Sequence, residues 1–144
     1  MWFASLVCTL ILFGLILVVQ IVHYPAFHWV DGDHFPEFEQ FHAQRISYIV
    51  APLMLTELAL AVSLYFLSDG DEFDNFALLN LSTVILIWLS TLFLSIPCHN
   101  GLTRQKDRRL IEKLINSNWI RTILWGLRSI LLSYIIWTKG GGNV

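Results

Sequence analysis

Apolar residues in this chain do not alternate with polar ones. They run in four continuous blocks, at about residues 2–22, 45–67, 76–96 and 119–137, separated by polar stretches. Each block is near the ~20 residues that a helix needs to cross ~30 Å of hydrocarbon. Inside hydrocarbon the backbone must satisfy its own hydrogen bonds, so each block predicts a helix; membrane strands would alternate instead. Gln20 is the one strongly polar member of the first block, and Pro52 and Glu57 interrupt the second. Short connections predict an all-α, antiparallel four-helix transmembrane bundle, a single domain over residues 1–144 with no evident internal repeat. The first block lacks a basic n-region and a small-residue cleavage pattern, so a retained helix is expected rather than a cleaved signal.

Composition and charge sharpen this picture. Of 144 residues, 56% are hydrophobic and 14% charged, against roughly 45–50% and 25% in soluble domains. Nine Lys and Arg against eleven Asp and Glu give a net charge of -2, which argues against nucleic acid as a partner. Two cysteines are too few for a disulfide scaffold. Arg104, Lys106, Arg108, Arg109 and Lys113 lie between the third and fourth blocks, whereas the second connection carries Asp69, Asp71, Glu72 and Asp74 and no base. Lys139 is the single base after the fourth block. Positive charge favours the inner side. Segments 23–44 and 98–118 are therefore expected in the cytoplasm, with both termini on the outer side of what reads as a bacterial inner membrane. Trp2, Trp29, Trp119 and Trp137 fall near span ends, where aromatic belts form. Cys8 and Cys98 come out at opposite depths, roughly 20 Å or more apart at helical rise, too far for a disulfide.

On this topology the polar residues gather at one end. All five histidines, His23, His28, His34, His42 and His99, fall on the inner side. His28 and His34 read as ordinary interfacial polarity. Asn118, Arg121, Trp125 and Arg128 form one helical stripe, although Asn118 alone also reads as a helix cap. His42, Arg45, Ile49, Pro52, Thr56 and Glu57 read as a broad face of the second helix, and Asn80, Thr83, Ser90, Thr91 and Ser95 supply polarity on the third. Charges within a bilayer should face the bundle interior. Glu57 and Arg128 fall at matching depth, so they are predicted to pair. Glu39-Gln40-Phe41-His42 places a carboxylate and an imidazole on one helical face. Di-iron bundles need two such pairs, so a mononuclear transition-metal site of His23, Glu39, His42 and His99 is the metal reading left open, with haem ligation as a variant. The run from Arg104 to Lys113, with Leu110 and Ile111 interleaved, reads as a surface helix against anionic headgroups.

Val22-His23-Tyr24-Pro25, Phe41-His42-Ala43-Gln44-Arg45-Ile46, Pro97-Cys98-His99-Asn100 and Asn118-Trp119-Ile120-Arg121-Thr122 carry a likeness. Across nearly its whole length the chain resembles a group of small bacterial four-helix membrane proteins and, more distantly, the anthrone oxygenase-like family. In that family the turn after the third span tends to read Pro-x-Asn followed by an apolar residue; here His99 and Asn100 occupy it. The resemblance implies a membrane oxygenase acting on hydrophobic aromatic substrates, without an established cofactor.

Two functional readings follow. In the first, the protein is a membrane-embedded oxidoreductase acting on a lipophilic, quinone- or polyketide-like ring near the cytoplasmic face. His23 or His42 is then the general base, Arg121 and Arg128 stabilise a developing anion, Glu57 belongs to the catalytic group, and Asn100, Asn118 and Trp125 bind substrate. In the second, it is a non-enzymatic small subunit or assembly factor of a larger membrane complex, or a homo-oligomer. An autonomous carrier is disfavoured by the lack of a repeat.

Overall fold

The computed structural model describes residues 1–67 and 74–141, with side chains as far as 138. Asp69, Asp71, Glu72 and the side chain of Lys139 lie outside the described residues. Among the described residues there are four long helices: α1 Trp2–Trp29, α2 Phe35–Phe66, α3 Asp74–Leu102 and α4 Arg108–Gly141. All four are long and apolar enough to cross a membrane, and no strand occurs among the described residues. The predicted all-α transmembrane bundle is the observed architecture.

The helices overrun their apolar blocks, and local chemistry explains where they begin. Pro36 lies in the first turn of α2, where a missing N–H costs nothing, and Glu37 complements the helix dipole there. At α4 the Asp107 carboxylate accepts the N–H groups of Arg109 and Leu110 at 2.7 and 3.4 Å, capping the helix. Much of segments 23–44 and 98–118 is therefore helical. The basic run begins in the connection before α4 with Arg104 and Lys106 and continues into its first turns, where Ile111 and Leu114 are in the core while Arg108 and Lys113 face outward.

α1 and α3 share a plan that the residues conceal. Each has 17 α-helical residues followed by a five-residue π-helical turn, Val19–His23 in α1 and Thr91–Ser95 in α3. Each π turn is followed two positions on by proline, Pro25 or Pro97. Proline has no N–H and its ring crowds the carbonyl one turn back; a turn widened by one residue accommodates both defects.

Gln20 meets Asn118 and Ser5 meets Arg128, so the early end of α1 lies beside the late part of α4. Phe27, Phe35, Ile87, Leu102, Ile111 and Leu114 are fully buried between the helices. Val18, Ile21, Tyr48, Phe93, Ile130 and Trp137 are exposed, a surface suited to lipid. On α2 the inward positions are Glu39, His42, Met54, Glu57, Ala61 and Leu64. Arg45, Ile49, Pro52 and Thr56 are exposed, so the broad polar face expected there narrows to its two buried members. Cys8 and Cys98 are free thiols, as expected.

Candidate functional site

Three polar layers lie along the bundle. The first is a fully buried ion pair between Arg128 and Glu57, the pairing read from matched depth. All four helices satisfy it. The Arg128 guanidinium also donates to Asn80 Oδ1 and Ser5 Oγ, each at 2.9 Å, and to Thr9 Oγ1. Trp125 Nε1 donates to both Glu57 oxygens at 3.1 Å. Every acceptor on Glu57 and every nitrogen on Arg128 is engaged, so this layer locks the helices together and has little capacity left for a substrate. Glu57 and Arg128, predicted as catalytic, belong to that lock.

The second layer holds Arg121. Gln20 Nε2 donates to the Ile115 carbonyl at 3.1 Å, Asn118 Nδ2 donates to Gln20 Oε1 at 2.7 Å, and Arg121 donates to Asn118 Oδ1. Asn118 is fully buried ten residues into α4, so it does not cap that helix, and its Oδ1 accepts from Arg121. Arg121 is 5% exposed. It has no carboxylate within salt-bridge distance among the described residues.

The third layer is aromatic and imidazole-rich. Tyr24 Oη lies 3.0 Å from His99 Nε2, and His99 Nδ1 pairs with Glu39 Oε1, which is fully buried. In the neutral imidazole with its proton on Nδ1 towards Glu39, Nε2 accepts from the tyrosine. The His42 ring centroid is 4.2 Å from that of His23 and 5.9 Å from that of His99. Even so, no group of three or more His, Cys, Asp or Glu among the described residues is arranged to hold a metal. The expected His23, Glu39, His42 and His99 centre is corrected accordingly. Both ring nitrogens of His99 are taken by Glu39 and Tyr24, and Glu39 turns to α3 rather than to His42 on its own helix. His34 is exposed beside Asp31, as interfacial polarity would have it.

Between the second and third layers lies a cavity of about 350 Å³, within the range of roughly 300–1,000 Å³ usual for small-molecule sites. Its walls are mostly apolar, from Leu12, Ile16, Val50 and Met54, with Trp88 and Trp125 as aromatic faces. Arg121, Tyr24, His99 and Asn100 supply polarity. Among the wall residues Ser47, Ala51, Leu92 and Ile96 are also exposed on the outer surface, so the cavity reaches the lipid-facing side between α2 and α3. Trp88 Nε1, Ser95 Oγ and Arg121 Nε are buried without hydrogen-bond partners. All three residues border the cavity.

Of the residues picked from sequence, Arg121, Trp125, Asn100 and His99 meet there. His23, His42, Glu39, Glu57, Asn118 and Arg128 do not border it. Tyr24 and Trp88 were missed as functional candidates. Tyr24 was flagged only by its place between His23 and Pro25, and Trp88 carried no signal beyond its size. No family model, curated protein or solved structure matches the chain.

Proposed function

We propose that the protein binds a lipophilic, oxygen-bearing aromatic ring, of quinone or polyketide type, taken laterally from the bilayer. On this reading it acts on that ring as a membrane-embedded oxidoreductase or oxygenase-like enzyme. One observation carries the proposal: a buried guanidinium without a carboxylate partner borders an apolar, aromatic-walled cavity. An uncompensated buried charge is costly. A carbonyl, phenolate or enolate oxygen would satisfy Arg121 together with the free donors of Trp88 and Ser95, while the ring lies between Trp88 and Trp125. The likeness to anthrone oxygenase-like proteins favours the same substrate class. The bundle is read as antiparallel, with the Arg121 end towards the cytoplasm and both termini outside, because the basic residues of the 103–113 region lie at that end.

Fluorescence tests the binding step. Tryptophan emission of the nanodisc-reconstituted protein is titrated with 2-methyl-1,4-naphthoquinone. Quenching should saturate, and Arg121→Gln should weaken binding about tenfold or more, as expected for a charged hydrogen bond worth ~1.5–3 kcal/mol. Unsaturable quenching, or equal affinity in the variant, would overturn the reading.

A further inference from the structure

We infer that Tyr24, His99 and Glu39 form a proton relay that ionises a hydroxyl-bearing ring in the cavity; the inference rests on the ligand class proposed above. Three helices contribute one group each. Tyr24 on α1 and His99 on α3 both border the cavity, whereas Glu39 on α2 lies behind them and is fully buried. Two hydrogen bonds set the order: in the tautomer with the His99 proton on Nδ1 towards Glu39, Nε2 faces the tyrosine hydroxyl as an acceptor. This is the logic of a nucleophile–histidine–carboxylate triad, with the phenol in the place that faces the ligand.

The proton balance is closed within the chain. The ligand O–H bond breaks and its proton passes to Tyr24 Oη, while the former Tyr24 proton moves to His99 Nε2. The imidazolium so formed is paired with the Glu39 carboxylate, and the ligand is left as an oxyanion. Arg121 borders the same cavity as Tyr24, so the same guanidinium stabilises the new anion. No electron donor or acceptor is needed for this step. The titratable and charged groups facing the relay are His23 on α1, His42 on α2, Cys98 on α3 and Arg121 on α4. His23 and His42 carry buried, unpartnered Nε2 atoms and are not links in the hydrogen-bonded chain.

Alizarin, a dihydroxyanthraquinone that is yellow when neutral and red when ionised, reads the relay directly. Its colour is followed on the nanodisc-reconstituted protein at a pH where the free dye is neutral, with tryptophan quenching as the separate measure of binding. The wild type should bind it red, with the apparent ionisation of the bound dye favoured at least tenfold over the free dye. Tyr24→Phe and Glu39→Gln should still quench but leave the dye yellow. Tyr24→Phe keeps the buried ring, and thermal unfolding of each variant separates lost folding from lost proton transfer. A dye bound yellow by the wild type, or equally red in Tyr24→Phe, overturns the relay while leaving the ligand class standing. Absence of saturable binding overturns both.

Discussion

At the scale of single residues, the molecule separates charges that hold from charges that wait. Arg128 is met by Glu57, Asn80, Thr9 and Ser5, whereas Arg121 is held by the Asn118 amide oxygen and the Thr91 hydroxyl and keeps its Nε free. The two cations are seven residues apart on one stripe of α4 and look equivalent in sequence. Matched depth was enough to read the Glu57–Arg128 pair. It could not show how the rest of the guanidinium would be satisfied, because that depends on how α1 and α3 are rotated to present Ser5, Thr9 and Asn80. The distinction is measurable. Arg128→Leu or Glu57→Leu alone leaves a buried charge without its partner and should cost about 3–5 kcal/mol, read as detergent unfolding. The double Glu57→Leu, Arg128→Leu protein should be less destabilised than either single variant. Additive losses would contradict a role as a paired lock.

At the scale of elements, the four spans were legible because hydropathy and length decide them. Their ends were not. Caps and first-turn residues such as Asp107 and Pro36 extend α4 and α2 into polar sequence, where charge density hides a helix whose inward face is still Phe35, Ile111 and Leu114. The π turns of α1 and α3 were also unreadable, since each is one extra residue spread over a turn that mixes apolar and polar side chains like any other in these helices. That view makes a sharp prediction. Deleting Phe93, which is exposed within the α3 π turn, should restore a regular helix without rotating the rest of α3, and the protein should fold. Deleting the exposed Leu86 in the regular part of α3 rotates everything beyond it by about 100° and should abolish folding. Circular dichroism and size-exclusion profiles compare the two; equal damage would refute the account of the π turn. The Phe93 deletion should also weaken quinone binding, because Thr91 and Ser95 border the cavity from that turn.

At the scale of the whole molecule, an apolar exterior, a satisfied polar lock and a half-satisfied polar cavity are stacked along one bundle. The cavity end is also the basic end, with Arg108 and Lys113 exposed at the start of α4. Positive charge should therefore keep it in the cytoplasm. Lys113→Cys in intact cells should resist a membrane-impermeant maleimide until permeabilisation; labelling beforehand would invert the topology. The central claim is that Arg121 waits for an oxygen on a lipophilic ring, and the carbonyl itself reports on that most directly. In infrared difference spectra of 2-methyl-1,4-naphthoquinone labelled with carbon-13 at its carbonyls, the bound C=O band should fall below its position in protein-free nanodiscs. Arg121→Gln should return it towards that position. A band at the lipid-dissolved frequency in the wild-type protein would contradict the account.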